Sequence, residues 1–305
     1  DWRVAREIRT EQKVRRGGIR WAAENSGVLA AMLVDGTVAV IDVATGLPKR
    51  APIALPEKPV GGLSNFALSP DGRWVAVGYK GQVFVWNTDS GELTLTRPNG
   101  RSSYARVHFS GDSRRIVATA QQVTQVWSVS DGAPVGAEIP VAPGGFINAL
   151  FSEDGRSLFV WWWPGIGQLF DAMTGQPTGP VVTIPVSTVK GVEDFTVSAD
   201  GGLAAIGRGD GLAVFDLRNG TTRFELLPHG SPIFNYAFSP DGKLLLSNAV
   251  DGLFRIWSMT TGTLVAEATF QQEQYSPACL FPDGKRVALF TRSGKAYRLR
   301  IGVGA

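Results

Sequence analysis

Two histidines and one cysteine are the residues of this chain best suited to nucleophilic or metal chemistry. His108, His229 and Cys279 lie far apart in the sequence, so their spacing matches none of the common zinc motifs. The chain also lacks the G-x-S-x-G nucleophile elbow, the phosphate-binding P-loop and the H-E-x-x-H metalloprotease motif. We therefore expect no catalytic residue, no metal site and no cofactor.

Acidic residues offer a second kind of chemistry. Glu193-Asp194 is the acidic pair near a predicted central strand, and loops distant in sequence can bring carboxylates together for glycoside hydrolysis. A hydrolase or lyase therefore stays an alternative. Five further aspartates recur once per repeat, and capping a turn is a sufficient explanation for them. These turn aspartates are Asp71, Asp154, Asp200, Asp241 and Asp283.

The chain repeats one pattern with a period of 41 to 45 residues. Each copy has an apolar stretch, FSPDG or a relative, a second apolar stretch, a tight turn, and a run that ends in VW or VF before a Thr-Gly-like pair. Such a period indicates one supersecondary unit copied many times. The residues that close the third run mark seven units: Ile41, Trp86, Trp127, Phe170, Phe215, Trp257 and Leu299.

The sixth unit shows which structure the pattern predicts. Residues 233–239, 244–248, 254–258 and 263–269 read as four strands, separated by Pro-Asp-Gly, Asp-Gly and Thr-Gly turns. A small sheet with apolar residues on both faces cannot bury either face alone, so it must stack between copies of itself. A stack of such sheets that closes on itself is a β-propeller.

The segments FSPDG, VWNTDSG, VWSVSDG and IWSMTTG resemble the repeat of the WD40 family, and the resemblance covers essentially all 305 residues. The related YVTN-type and TolB-type propellers share the SPDG turn, and VIDVATG in the first unit is similar to them. The resemblance implies a structural hydrogen-bond tetrad of His, Ser or Thr, Asp and Trp in each blade. Only the sixth unit matches it fully, with His229, Ser247, Asp251 and Trp257.

We therefore predict an all-β fold, a seven-bladed β-propeller of four-stranded antiparallel blades, which forms a single domain over residues 1–305. A strand within 1–10 is expected to join the last blade, which closes the ring and removes a free sheet edge. Three strands of the seventh blade are expected within 274–301. The first six blades are expected at 17–50, 61–97, 102–138, 144–184, 190–227 and 230–270.

The resemblance also implies that partners bind at the top face of the ring, around the central channel. Tyr, Trp and Arg anchor many interface hot spots. The positions that match the family's top face give a predicted partner-binding set: Arg20, Tyr79, Trp163, Glu193, Phe234 and Arg292. Strand alternation assigns Trp161 and Trp162 to packing between blades, while Trp163 is open to either packing or exposure.

Charge and composition limit the partners. The net charge is +3, and seven basic and two acidic residues fall between Arg3 and Arg20. Nucleic-acid binding through this segment is an alternative, but a charged edge strand that resists unwanted pairing explains it more simply. No run of 18 apolar residues exists, so we expect no membrane partner. A single cysteine fits a reducing cytoplasm.

The leading hypothesis is a non-catalytic scaffold or sensor module that binds a protein or peptide. The composition, with 22 Arg against 8 Lys and much Ala, Gly and Val, is typical of a GC-rich bacterial genome. Because the chain opens on Asp1 rather than Met, we expect either a processed form or a domain of a longer protein, such as a larger multidomain signalling or regulatory protein. We also expect the domain to be monomeric. The alternative enzyme is a propeller hydrolase or lyase with carboxylates in the channel.

Overall fold

The computed structural model describes most of the chain, and the described residues contain strands and turns without a helix. Hence no helix among them has the length and hydrophobicity needed to span a bilayer. The described ranges are 3–7, 14–21, 27–33, 35–42, 44–55, 66–79, 81–98, 106–120, 123–140, 147–162, 164–183, 195–208, 211–250, 252–269, 275–280, 286–291 and 295–300.

The strands of the first half of the chain follow an N-terminal strand, β1 (Arg3–Glu7). The first sheet has β2 (Val14–Trp21), β3 (Val28–Leu33) and β4 (Val38–Asp42). The second sheet has β5 (Phe66–Leu68), β6 (Trp74–Tyr79), β7 (Gln82–Asn87) and β8 (Leu93–Pro98). The third sheet has β9 (Arg106–Phe109), β10 (Arg115–Ala120), β11 (Val123–Ser128) and β12 (Pro134–Pro140).

The remaining strands form four more sheets. The fourth sheet has β13 (Ile147–Phe151), β14 (Ser157–Trp162), β15 (Ile166–Asp171) and β16 (Val182–Thr183). The fifth has β17 (Phe195–Val197), β18 (Leu203–Arg208), β19 (Gly211–Asp216) and β20 (Thr221–Leu226). The sixth has β21 (Ile233–Phe238), β22 (Leu244–Ala249), β23 (Leu253–Ser258) and β24 (Leu264–Thr269). The seventh joins β25 (Tyr275–Leu280), β26 (Arg286–Thr291) and β27 (Lys295–Arg300) to β1.

The predicted all-β fold of four-stranded antiparallel sheets is confirmed. In the seventh sheet β1 pairs antiparallel with β27, and Glu7 lies opposite Lys295. The first sheet differs from the others, because its three described strands are followed only by isolated bridges, from Val38 to Ile53 and from Ile41 to Pro48. The closed ring of seven blades stays a prediction.

The strands group into two compact units, Thr10–Val181 and Asp1–Arg9 with Val182–Ala305. In the first unit the leading strand of each sheet contacts that of the next, from β2 to β5, β9 and β13. In the second unit β17 contacts β21 and β21 contacts β25. Within each unit, consecutive sheets therefore pack face to face.

Alternation along the strands supplies a core on both faces of each sheet. In the second sheet, Val75 and Val77 pack in the apolar cluster shared with the first sheet. Ala76 between them packs in the cluster shared with the third sheet. Successive side chains of a strand point to opposite faces, so one apolar run serves two cores. The fifth and sixth sheets share a cluster of the same kind, which includes Val214 and Trp257.

Each S-x-D turn between the first two strands of a sheet is closed by its own side chains. In the sixth sheet, the Ser239 hydroxyl donates to Asp241 Oδ1 at 2.6 Å and accepts the Leu244 N–H at 2.9 Å. Asp241 Oδ1 also accepts the Lys243 N–H at 3.0 Å. The turns of the second to fifth sheets repeat the serine-aspartate bond at 2.5–2.7 Å.

The third sheet carries a variant of this turn. Ser113 stands where the other described turns have glycine, and among the described residues it is the non-glycine with a positive φ, 61°. Its hydroxyl accepts the Asp71 N–H from the second sheet at 3.0 Å. This hydrogen bond between sheets offsets a backbone conformation that costs of order 1 kcal/mol for a residue other than glycine.

The Thr-Gly turns fit under the outer strand of the preceding sheet. The Arg97 side chain of β8 donates to Gly132 O in the third sheet at 2.9 Å. In the sixth sheet, a Cβ at Gly262 would collide with the Phe224 ring of β20 in the fifth sheet, and Gly262 has a φ of +74°. Glycine is required there for conformation and for space.

We expect the hydroxyls of the turn serines to contribute more to the free energy of unfolding than an exposed hydroxyl does. We expect Ser239→Ala to lower the free energy of unfolding by about 1–3 kcal/mol, since a buried N–H and the Asp241 carboxylate lose a partner. Urea unfolding measures this, with Thr222→Ala on the exposed face of β20 as the control. A loss no larger than that of the control would contradict the capping role.

The same turns predict an acid-sensitive fold. The Ser239 hydrogen bond is the largest influence on the pKa of Asp241, and it holds that pKa below the ordinary value of 3.8. Folding then favours the ionised form, so this contribution is complete above the unfolded pKa and is lost as the pH falls through the folded one. The urea midpoint should fall below about pH 4, and less steeply in Asp241→Asn. A midpoint that is constant down to about pH 2 would contradict this prediction.

Candidate protein-interaction surface

Each four-stranded sheet has two ends, which differ in their loops and turns. In the sixth sheet, the hairpin end combines the loop between β22 and β23 with the segment before β21, and the Val250 N–H donates to Pro232 O across them at 3.0 Å. The turn end combines the S-x-D turn with the Thr-Gly turn, and the Met259 N–H donates to Lys243 O at 2.8 Å. These two ends carry the candidate sites.

A buried polar network lies at the hairpin end of the sixth sheet. His229 Nε2 is 2.7 Å from Ser247 Oγ, and Trp257 Nε1 donates to the same oxygen at 2.8 Å. All three side chains are buried. Three members of the tetrad implied by the sequence are therefore in contact, while Asp251 lies outside the described residues.

Arg255, two residues before Trp257 on β23, supports this network. Its guanidinium lies 5.8 Å from the centre of the Trp257 ring and donates to Pro228 O at 2.7 Å. Arg255 Nε is also 3.4 Å from Glu267 Oε2 on β24. The arginine thus fixes the segment that carries His229. Sequence reasoning missed it, although a charged residue inside the apolar strand LFRIWS was an available signal.

The Ser247–His229 pair has the separation of a nucleophile and its base, but its surroundings do not allow that chemistry. Ser247 is 0 % exposed, so no substrate can reach its oxygen. The Trp257 N–H also occupies a lone pair of the hydroxyl. A hydroxyl that is enclosed in this way fixes blade geometry, because leaving any of the buried groups unpaired would be costly.

Two of the described aspartates, Asp200 and Asp171, are likewise used within the fold. Burial acts to raise the pKa of Asp200, but hydrogen bonds from Ser198, Gly202 and Arg218 outweigh it and the pKa is lowered. The pKa of Asp171 is lowered chiefly by the backbone N–H of Thr174. Across the described ranges no three His, Cys, Asp or Glu side chains are grouped so that they could hold a metal ion. Glu193-Asp194 lies outside these ranges.

The predicted partner-binding set is only partly described. Tyr79 ends β6 opposite Gln82, and its half-buried ring packs against the apolar cluster of the first two sheets. Arg20 lies on β2 opposite Ala30, and Phe234 lies on β21 at a shift in register. Trp163, Glu193 and Arg292 fall outside the described residues.

The aromatic run of the fourth sheet packs as a strand should. Trp161 is 1 % exposed, and Trp162 packs against the cluster shared with the third sheet. At the hairpin end of the sixth sheet, Val250 is 56 % exposed and presents an apolar side chain to solvent. The Val250 side chain is therefore exposed at the hairpin end of this sheet.

Comparison with known proteins gives matches to repeat-containing chains. The family model of the WD domain, G-beta repeat, matches residues 57–87 and 220–258. Telomerase protein component 1 of Rattus norvegicus is 23 % identical over 75 % of this chain and 9 % of its own length. SEC12-like protein 2 of Arabidopsis thaliana is 27 % identical over 65 % of this chain and 51 % of its own length.

A shorter stretch is more similar to another relative. Transcription initiation factor TFIID subunit 5 of Caenorhabditis elegans is 48 % identical over 48 residues, which are 16 % of this chain and 7 % of that protein. The chain thus spans from under a tenth to about half the length of these relatives. The repeated sheets, the buried His-Ser-Trp contacts and these matches agree with one another: the chain carries WD40-type repeats at residues 57–87 and 220–258 and is similar to WD-repeat proteins.

Proposed function

We propose that this chain is a non-catalytic scaffold or sensor module that binds a protein or peptide at the hairpin ends of its sheets. WD40-repeat relatives are protein-interaction scaffolds in transcription and other complexes. The observation that carries the proposal here is the burial of the Ser247–His229 pair. The described groups best suited to catalysis are enclosed in the fold, which leaves its surface as the functional part.

The hairpin ends support binding by their chemistry. Val250 is exposed, and Tyr79 combines a packed ring with a polar hydroxyl at the end of β6. The sequence places Trp163 and Arg292 at the corresponding hairpin position of other repeats, and Phe234 just inside the first strand of the sixth repeat. Aromatic and arginine side chains of this kind provide much of the binding energy in protein interfaces.

We further propose that the module is monomeric and works in the cytoplasm as part of a larger bacterial signalling or regulatory protein. The single cysteine and the arginine-rich, alanine-rich composition support this setting. Relatives much longer than the matched segment are consistent with a module inside a larger chain. The partner would then be a component of the same regulatory complex.

Partner capture tests the proposed surface. We expect the combined variant Trp163→Ala, Phe234→Ala and Arg292→Ala to lose partner capture from a host lysate, with a small change in melting temperature. Tyr79→Ala is assayed separately, because packing of its ring predicts a loss of stability as well. The control, Leu93→Ala with Met173→Ala, removes exposed apolar side chains elsewhere and should keep capture. Undiminished capture by the combined variant would contradict the proposal.

The non-catalytic role of Ser247 has its own test. Ser247→Ala should lower the free energy of unfolding by about 1–3 kcal/mol, because His229 Nε2 and Trp257 Nε1 lose their shared partner. Ser247→Thr, which keeps the hydroxyl, should lose less. Capture per folded molecule should not change, and a fluorophosphonate probe should not label Ser247. Labelling of this serine in the native chain would contradict the assignment.

A further inference from the structure

The turn ends of adjacent sheets form a groove, and in one case an arginine of this chain fills it. Arg115, the first residue of β10, crosses from the third sheet to the fourth. Its Nη1 is 3.1 Å from Met173 Sδ, and its Nη2 is 3.5 Å from Asp112 Oδ2. The guanidinium carbon lies 5.7 Å from the centre of the Phe151 ring. With only 12 % of its side chain exposed, Arg115 is held as a bound group would be.

The repeats define the same position in other sheets as the fifth residue after the turn serine. In the second sheet this residue is Trp74, which packs against the cluster shared with the third sheet. The groove between the second and third sheets and the groove between the third and fourth sheets are thus filled by flat side chains, an indole and a guanidinium. In the fifth sheet the same position is Leu203, preceded by Gly202.

The fifth and sixth sheets leave this groove open. A cleft of about 380 Å³ lies between their turn ends. Leucine is shorter than arginine or tryptophan, and Gly202 adds no side chain. The start of β18 therefore has no side chain long enough to cross the groove. Lining residues that the argument uses are Asp200, Leu203, Arg218, Lys243 and Thr260.

The space around two equivalent glycines differs between the filled groove of the third and fourth sheets and the open groove of the fifth and sixth. A Cβ at Gly155 in the fourth sheet would lie 2.6 Å from Arg115 Nη2 and 3.6 Å from Ser110 Cβ. A Cβ at Gly242 in the sixth sheet would meet Ser198 Cβ at 3.9 Å and no other neighbour within 4 Å. The two serines stand at similar distances, so the backbones match. The space that the guanidinium fills in one groove is open in the other.

The open cleft keeps groups that can bind a guanidinium. Asp200 takes the place of Asp112, and Thr260 offers a hydroxyl oxygen where the filled groove has the weaker Met173 sulfur. Asp216 and Asp241 add two further carboxylates to the lining. Carboxylates and a hydroxyl are suitable partners for one planar cation.

Arg218, Arg223 and Lys243 already line the cleft, and the carboxylates of Asp200, Asp216 and Asp241 balance their charge. Arg218 Nη2 is 2.7 Å from Asp200 Oδ2, but both side chains are mostly exposed, at 65 % and 61 %. An exposed ion pair of this kind is worth little, so an incoming guanidinium can exchange with it. Lys243 corresponds to Arg156, which stands in the fourth sheet together with Arg115. A cation at that position is therefore compatible with a bound arginine.

We propose that the cleft between the turn ends of the fifth and sixth sheets binds an arginine side chain of a partner protein, which takes the place that Arg115 fills within the chain. This second surface lies at the turn end, so it does not depend on the proposed binding at the hairpin ends. Its specificity comes from the planar, charged group, which distinguishes arginine from lysine and from uncharged residues.

A blocked tripeptide tests the proposal with the full chain. Acetyl-Gly-Arg-Gly-amide should bind saturably in an NMR titration, with shifts confined to residues around Leu203 and Thr260. The citrulline tripeptide has the same shape without the charge, and its affinity should be lower by about tenfold or more. The lysine tripeptide should also bind more weakly, and the glutamate tripeptide should not bind.

Variants that fill the cleft provide the second arm. Leu203→Arg copies the filled groove and should weaken binding of the arginine tripeptide by about tenfold or more, and Leu203→Trp, which copies Trp74, should do the same. Leu93→Arg adds the same charge at an exposed position of β8 and should keep wild-type affinity. The peptide series on the unaltered chain does not depend on the folding of either variant.

Three results would overturn the proposal. They are the absence of saturable binding by the arginine tripeptide, tighter binding of the glutamate tripeptide, and wild-type affinity in a folded Leu203→Arg variant. The second result would indicate an acidic partner held by Lys243 and its neighbours. Loss of partner capture through the hairpin ends would not bear on this cleft, so the two proposals can fail separately.

Discussion

The fold depends on one constraint: each sheet is apolar on both faces and cannot bury them without neighbours. β19 shows this most simply, since the consecutive residues Leu212, Ala213, Val214 and Phe215 are all buried although their side chains alternate in direction. Burial of a side chain of this size is worth about 1.5–3 kcal/mol, so the sheets gain much of their stability from stacking. Turns, caps and close glycine contacts are needed because consecutive sheets must meet at short range.

This constraint also determines where function can lie. Polar groups that enter the stack must be paired, and the described ones that could support catalysis are used to hold the sheets together. Ser247 accepts from Trp257, and the turn aspartates accept from serine hydroxyls and backbone amides. What remains available is the two ends of the sheets, where side chains are free of the stacking requirement. A frame built in this way can take different partners through changes at the end positions alone.

The sequence predicted the strands and turns well, because the apolar period and the Pro-Asp-Gly and Thr-Gly turns are local signals. The predicted fourth strand of the sixth unit, for example, differs by one residue from β24 (Leu264–Thr269). Features that cross from one sheet to another could not be predicted in the same way. The hydroxyl of Ser113, the packing of Tyr79 and the reach of Arg115 depend on how two sheets meet, and the repeat pattern does not contain that information. The open cleft beside Leu203 became evident only when equivalent grooves were compared.

Hydrogen exchange tests the stacking account most directly, since amides in a strand report the stability of the packing around it. The account predicts that the second and third strands of neighbouring sheets, such as β18, β19, β22 and β23, exchange together and much more slowly than the outer strand β24. Central strands of one sheet that exchange as fast as its outer strand, while those of its neighbour stay protected, would show that the sheets do not depend on each other and would contradict the account.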